Sequence, residues 1–321
     1  MKEIGGYFEL ELPAPQGEFI HSNCVLTNSG RHALEYILTS IKTPISKIWL
    51  PYYTCEVVLQ PIIRLGLKYE FYHIDTKLEL SEDIKLADGE YIIVNNYFGI
   101  KDKYVGELAE KYGNNCIIDN AQAWYAKEIL GVSQFYSPRK FFGMPDGGVA
   151  CSCFTNDEID IQDYSSDRCA HLLKRIDINA GEGYSDFRSN SNCIRNQNVK
   201  RMSRLSHRIL ASIDFDAVKS IRRSNFAILN EALRCSNMLS LPNSETYECP
   251  MVYPYLTNNP DLRRKLISNK IFVATYWPNV LTDCNNTTIE YQLAQNILPL
   301  PIDQRYDSND MERIVSLINA E

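Results

Sequence analysis

The residue best suited to covalent chemistry in this chain is a lysine among aromatic residues. Lys140 lies within SQFYSPRKFFGMPDGG (133–148), just before a glycine-rich turn. Aromatic neighbours would withdraw water from the amine and favour its uncharged, nucleophilic form. The alternative is a surface lysine beside Arg139 whose stem packs on Phe141 or Phe142, and the segment on its own favours that alternative.

A carboxylate and a helix start offer partners for such a lysine. The segment IIDNAQAW (117–124) predicts an apolar strand that ends at Asp119, and ligands bind at strand ends in open α/β sheets. A buried carboxylate needs a cation, and a protonated ring nitrogen would be one. Ser29-Gly30-Arg31 begins a predicted helix whose amides could hold a phosphate. Each feature also has an explanation without a ligand. Asp119 would cap the following turn, and the helix start at Ser29 would be an ordinary capped N-terminus.

The elements that must position these residues follow from alternating β-rich and helical patterns, which predict a mainly parallel sheet with crossover helices. The predicted strands are 25–26, 48–50, 68–74, 91–94, 116–119 and 149–154. The helix after Thr27 would be capped by Asn28 or Ser29. Its apolar face would comprise Ala33, Leu34, Ile37, Leu38 and Ile41.

In the second half of the chain the alternation of strand and helix patterns gives way to a long helical pattern. A helical pattern covers 203–235, short strands are expected at 251–256 and 271–277, and a helix is expected at 261–269. The last predicted helix is 310–318, with Ser308 as its cap. We therefore expect a large domain over residues 1–225 and a small C-terminal α/β domain over 226–321.

Composition narrows the classes of function. The net charge of −7 argues against nucleic acid as the main partner, although 195–208 is locally basic. No apolar run is long enough for a signal peptide or a membrane span, so we expect a cytoplasmic protein. The ten cysteines are scattered and form no C-x-x-C pair, and with the five histidines they complete no recognisable metal pattern. Reduced thiols and no metal site are expected.

Several segments, in order, resemble the DegT/StrS family of sugar aminotransferases, which use pyridoxal 5'-phosphate (PLP). The matching segments are SGRHAL (29–34), PYYTC (51–55), VNNYFG (94–99), IDNAQA (118–123), and Lys140 followed by DGG at 146–148. The resemblance continues through RMSRL (201–205) and 298–315, so it covers nearly the whole chain. It implies the α/β, aspartate aminotransferase-like fold type I, with a mainly parallel large-domain sheet.

The resemblance also implies roles for individual residues. Lys140 would carry PLP as a Schiff base, Asp119 would pair with the ring nitrogen, and Gln122 would meet the phenolic oxygen. Further cofactor contacts are implied at Ser29, Gly30, Arg31, Tyr53, Cys55 and Ser137, and substrate contacts at Asn96 and Arg201. The implied reaction moves an amino group, that of glutamate, to a keto-sugar nucleotide in surface-polysaccharide or secondary-metabolite biosynthesis. The implied assembly is a homodimer.

Four positions depart from the family pattern. Cys55 stands where the family has an aromatic residue over the cofactor ring, so stacking would have to come from elsewhere, for example Tyr53. Asn96 and Ser137 stand where many members have histidine, and Arg31 replaces a threonine beside the phosphate.

Two other functions remain open from the sequence. One is a PLP-dependent sugar dehydratase; in that branch histidine replaces the lysine, so Lys140 argues against it. The other is a non-catalytic binding or regulatory protein of the same fold, which the departures at Cys55, Asn96 and Arg31 would favour.

Overall fold

A seven-stranded sheet forms the centre of the computed structural model, which describes residues 6–16, 19–21, 24–154 and 158–320. The strands are β1 (Val25–Thr27), β2 (Lys47–Pro51), β3 (Tyr69–Tyr72), β4 (Glu90–Asn95), β5 (Cys116–Asn120), β6 (Ser133–Tyr136) and β7 (Gly148–Cys151). Their order across the sheet is β1-β7-β6-β5-β4-β2-β3. The expected mainly parallel sheet is therefore confirmed.

Strand direction decides where the functional segments meet. Strands β2 to β6 pair in parallel, whereas β7 runs antiparallel to β6, and β1 runs antiparallel to β7. As a result β1, β5 and β6 all end at the same edge of the sheet. The segments that follow these three strands, including the turn from β6 to β7, begin at that edge.

Helices cover the sheet and build the C-terminal part of the chain. They are α1 (Gly30–Ser40), α2 (Leu59–Arg64), α3 (Asp102–Tyr112), α4 (Ala170–Asp177), α5 (Tyr184–Arg195), α6 (Arg204–Ala211), α7 (Phe215–Leu233), α8 (Leu262–Ser268), α9 (Val280–Asp283), α10 (Ile289–Asn296) and α11 (Ser308–Asn319). Ser29 caps α1 by accepting a hydrogen bond from the His32 amide. All five residues expected on the apolar face of α1 are buried. None of the helices in the described ranges is long and apolar enough to cross a membrane.

A second, two-stranded antiparallel sheet lies in the C-terminal part, formed by β8 (Val252–Leu256) and β9 (Ile297–Pro301). One buried apolar cluster joins this part to the large sheet, since it contains Ile118 from β5 as well as Tyr253 from β8. The expected boundary between residues 225 and 226 falls inside α7. The division into two domains stays a prediction.

Some local expectations were wrong. Residues 271–277 form a loop, and Ile271, Val273 and Trp277 reach the core from it without strand pairing. Strands β6 and β9 were not expected. The last helix begins at Ser308, and its cap is Asp307, whose carboxylate accepts from the amides of Asn309 and Asp310.

The expectation of reduced thiols needs correction at one pair of cysteines. Cys24 and Cys151 form a disulfide, with their Cα atoms 4.3 Å apart. The register of β1 on β7 explains the pairing, because Val25 lies opposite Ala150 and the two cysteines therefore face each other at the end of the ladder. The other eight cysteines are free.

The carboxylate of Asp146 ties the turn after Lys140 to the start of α6. It is fully buried and accepts hydrogen bonds from the Ser203 amide at 2.8 Å, from the Ser203 hydroxyl at 2.6 Å and from the Ser206 hydroxyl. This explains why an acidic residue precedes the two glycines of the DGG segment: three donors surround a carboxylate that water does not reach.

We expect Asp146→Ala to lower the free energy of unfolding by about 2–4 kcal/mol, because three buried donors lose a charged acceptor. Urea unfolding followed by circular dichroism measures the change. Asp177→Ala is the matched control, since Asp177 is exposed at the end of α4 and its loss should change stability by less than about 0.5 kcal/mol. Equal effects of the two substitutions would contradict this account of Asp146.

Candidate active site

Lys140 lies in the turn between β6 and β7, at the edge of the sheet where β5 ends. A short 3-10 helix, Pro138–Lys140, forms the turn, and the Lys140 amide donates to the Ser137 carbonyl at 3.1 Å. The lysine side chain is exposed in the single chain. The expected desolvation by aromatic neighbours is therefore not found, because Phe141 and Phe142 turn into the core instead.

Asp119 occupies the end of β5 and is 8% exposed. One carboxylate oxygen, Oδ1, accepts from the Ala121 amide at 2.8 Å. Burial raises the pKa of the Asp119 carboxyl, while the charge of Lys140 and the Ala121 hydrogen bond lower it. The lysine is thus close enough to act electrostatically on the carboxylate, and the structure brings the two principal candidates together.

Gln122 follows Asp119 by three residues and presents an unused donor. Its Oε1 accepts from the Phe98 amide at 2.9 Å, which fixes the orientation of the side-chain amide. Its Nε2 is buried and has no hydrogen-bond partner among the residues that the structure describes. Because an unpaired buried donor costs on the order of 1–3 kcal/mol, this nitrogen is suited to an acceptor on a ligand.

The start of α1 lies directly against the lysine turn. A Cβ atom added to Gly30 would come within 3.3 Å of Ser137 Cβ, so these two residues are in close contact. The Ser29 hydroxyl is held by the ring of His32, at 2.9 Å from Nδ1. The amides of the first turn have no partner inside the helix, and the positive end of the helix dipole lies here.

The two glycines after Asp146 make this approach possible. Gly147 has a φ of +137°, which L side chains rarely adopt, and Ser29 pairs with it in an isolated bridge. A Cβ atom on Gly148 would lie 2.1 Å from the Ser29 carbonyl carbon. The glycines thus let β7 start beside the first residues of α1.

Arg139 is a site residue that the sequence analysis missed. Its Nε is buried and unpaired within the described part of the chain. Burial lowers the pKa of the Arg139 guanidinium to about 10; the Asp146 charge opposes this shift, and the charges of Arg31 and Arg168 add to it. Arg139 and Arg31 therefore concentrate positive charge at the start of α1. Two features of the sequence could have pointed to Arg139: it is a cation directly next to Lys140, and Arg31 stands where the family has threonine.

Cys55 is affected by the charges of both Lys140 and Asp119. Burial raises the pKa of its thiol, the Lys140 charge lowers it, and the Asp119 charge raises it, so the thiol is near both side chains. Burial, together with the charge of Cys55, raises the pKa of Tyr276 to about 12. Tyr276, from the loop after α8, was not expected at the site.

Three other residues that were expected at the site have side chains that contact other parts of the protein. Tyr53 is buried in the core between the rings of Tyr97 and Trp277, with centroids 5.4 and 5.0 Å away, so stacking on a ligand from Tyr53 gains no support. The Asn96 side chain is buried and donates to Asp102 and Asn120 while accepting from the Lys101 amide. Arg201 is exposed, and its side chain donates to the Asp160 carbonyl at 3.4 Å. The structure brings none of these side chains into contact with Lys140.

Because burial raises the pKa of Asp119, we predict that a neutral side chain at this position stabilises the protein. The native carboxyl holds its proton to a higher pH than the unfolded chain, whose pKa is near 3.8. Stability therefore falls as the pH rises from that value through the native pKa. Asp119→Asn should remove this fall and raise the free energy of unfolding of the cofactor-free protein, at neutral pH, by on the order of 1 kcal/mol.

Urea unfolding of the cofactor-free wild type and variant, from acidic to neutral pH, measures this difference. Asp88→Asn is the control, because Asp88 is exposed. Parallel pH profiles for wild type and Asp119→Asn would refute this assignment.

No family model matches the chain, and no curated protein matches it. Solved structures do match. The sugar aminotransferase CalS13 from Micromonospora echinospora has a TM-score of 0.64 at 15% identity, covering 92% of this chain and 86% of that one.

Two further structures agree with this match. The PLP-form of a putative sugar aminotransferase, Spr1654 from Streptococcus pneumoniae, has a TM-score of 0.65 at 16% identity, covering 91% of this chain and 85% of that one. AtS13 from Actinomadura melliaura has a TM-score of 0.63 at 19% identity, covering 93% and 86%. The implied architecture is confirmed: this chain has the fold type I α/β architecture of PLP-dependent transferases.

Proposed function

We propose that the protein is a PLP-dependent aminotransferase that moves an amino group, from glutamate, to a keto-sugar nucleotide. The observation that carries the proposal is that β5, which holds the buried Asp119, and the parallel strand β6, which leads into the turn with Lys140, end at one edge of the sheet. Structures with this fold include proteins described as sugar aminotransferases, one of them in PLP and PMP forms.

The side chains at the site fit PLP in charge and in hydrogen-bonding capacity. Asp119 would pair with the ring nitrogen, and the unpaired Nε2 of Gln122 would donate to the phenolic oxygen. The amides at the start of α1, with Arg31 and Arg139, would hold the phosphate. Cys55 would lie beside the ring in place of an aromatic residue, offering a small polarizable side chain.

The bound cofactor would supply an electron sink for the α-carbon of an amino acid. Asp119 would keep the ring nitrogen protonated, because its buried carboxylate has otherwise only the Ala121 amide and the lysine to balance its charge. Lys140 Nζ would hold the cofactor. As a free amine, the same Nζ would serve as the general base that takes the proton from the donor's α-carbon and as the acid that gives it back.

A cleft lined by α4, α5 and the C-terminal part, with no lining residue from the lysine turn itself, is the candidate for the nucleotide. This cavity of about 610 Å³ lies between α4–α5 and the C-terminal part of the chain. Its lining includes Arg175, Tyr184, Phe187, Lys270, Arg305 and Tyr306. Cations suit a diphosphate and aromatic rings suit a base. Gln304, next to Arg305, donates to the Phe141 carbonyl at 2.9 Å, so one wall is anchored next to the lysine.

A homodimer in which a second subunit covers the exposed Lys140 is part of the proposal, as is a role in surface-polysaccharide or secondary-metabolite biosynthesis. A cytoplasmic location also stays a prediction. The dehydratase gains no support, since Lys140 occupies the turn beside Asp119.

Lys140→Ala should abolish the absorbance band that lysine-bound PLP gives, because it removes the amine that would form the bond. Lys42→Ala, which removes an exposed lysine, should leave the band unchanged. Addition of glutamate to the wild type should convert the band to that of the pyridoxamine form. A wild type with no band would refute PLP catalysis, and a band that no amino donor changes would refute transamination.

Arg139→Gln should raise the dissociation constant for PLP by about 10-fold or more, because a charge-assisted contact to the phosphate is lost. The affinity for pyridoxal, which lacks the phosphate, should stay the same. Absorbance titration measures both constants, and Arg188→Gln on the exposed face of α5 is the control. Equal weakening for PLP and pyridoxal would show that Arg139 does not contact the phosphate.

A further inference from the structure

A buried histidine with an unused nitrogen lies next to the Cys24–Cys151 disulfide. His21 is 2% exposed, and its ring packs against Trp124 and Tyr136, with centroids 4.7 and 3.9 Å away. Its Nε2 lies 2.8 Å from the Trp124 carbonyl, an acceptor, so Nε2 carries the proton. Its Nδ1 therefore presents a lone pair, and this atom has no hydrogen-bond partner within the described ranges.

A carboxylate and a sulfur atom lie near that lone pair. Glu128 Oε1 lies 3.7 Å from His21 Nδ1. One ligand atom each from His21, Glu128 and Cys151 lie within 4.8 Å of one another. Cys24 Sγ is outside this group of three but is bonded to Cys151 Sγ, so reduction would free a second sulfur one bond away from it. Three separate parts of the chain thus meet here: one with His21 and Cys24, one with Glu128 and one with Cys151.

This donor set is one that zinc prefers. Structural zinc sites are tetrahedral and take thiolate, imidazole and carboxylate ligands, with bonds of about 2.0–2.3 Å. A zinc-binding histidine usually donates its other ring N–H to a carbonyl or carboxylate, as His21 does to Trp124. A disulfide, in contrast, leaves no thiolate for a metal.

We propose that reduction of the Cys24–Cys151 disulfide creates a Zn²⁺ site formed by His21, Cys24, Glu128 and Cys151. A dithiol reductant would supply two electrons and two protons, so that the sulfur–sulfur bond breaks, two thiols form and the reductant becomes a disulfide. Zinc would then displace both thiol protons to solvent and bind the two thiolates, His21 Nδ1 and the Glu128 carboxylate. The disulfide and the metal are therefore alternative cross-links at one place.

The disulfide joins two segments that flank the proposed active site, and the metal would join a third. Trp124 and Glu128 follow Gln122 along the chain, and Cys151 ends the strand that begins after the lysine turn. Cys24 directly precedes β1, which leads into α1. The site would thus hold together the supports of the cofactor pocket in both an oxidising and a reducing environment. The proposal does not depend on the aminotransferase function.

Cobalt binding to the full-length protein tests the proposal, because tetrahedral Co²⁺ with thiolate ligands gives strong d–d and charge-transfer bands. After reduction, chelation and removal of the reductant under anaerobic conditions, the wild type should bind one Co²⁺ per chain, and Zn²⁺ should displace it. The oxidised protein should give no thiolate bands. Cys151→Ser and Glu128→Gln should weaken binding by on the order of 100-fold.

Cys235→Ser is the matched control, since this free cysteine is exposed and remote in sequence from the cluster; it should bind Co²⁺ as the wild type does. Glu128 is only partly buried, so its variant keeps the test valid if a cysteine variant fails to fold. Absence of thiolate bands in the reduced wild type would overturn the proposal. Wild-type affinity in both Glu128→Gln and Cys151→Ser would overturn it as well.

Discussion

The reversed direction of β7 is the constraint on which the candidate site depends. Because β7 runs antiparallel to β6, the segment between them is a turn that stays at the edge where β5 ends. A parallel strand would have required a crossover to the opposite edge. The antiparallel pairing of β1 with β7 then delivers the start of α1 to the same place. One reversal therefore brings Lys140, Asp119 and Gly30 together.

The groups gathered at this edge are poorly satisfied by the protein alone. Asp119 is a buried carboxylate, Gln122 has an unpaired buried nitrogen, and Arg139 has a buried Nε without a partner in the described part of the chain. Each costs free energy in the isolated fold. Together they match a ligand that carries a cationic ring nitrogen, an acceptor oxygen and an anionic phosphate. These unpaired groups are what this chain adds, beyond the shape of its fold, in support of the proposed cofactor.

The sequence predicted the parts of the site that depend on local pattern. The strand ending at Asp119 and the helix capped by Ser29 follow from apolar periodicity and capping, and both were found. Arg139 and the Cys24–Cys151 pair were missed, because their significance comes from contacts across the sheet. Asn96 shows the converse: its motif position suggested a ligand, yet its side chain is held by the start of α3. Sequence pattern places a residue at an edge, whereas neighbours in space decide which way its side chain turns.

The carbonyl of Phe141 connects the lysine turn to the C-terminal part of the chain. It accepts from Gln304 at 2.9 Å and from Arg222 at 3.3 Å, and Arg222, which is almost fully buried in α7, also donates to the Met251 carbonyl. The peptide next to Lys140 is thus fastened to α7 and to the segment after β9. A rotation of the C-terminal part about α7 would pull on this peptide. Any displacement of the C-terminal part relative to the large sheet would therefore be transmitted to the lysine turn through the Phe141 carbonyl.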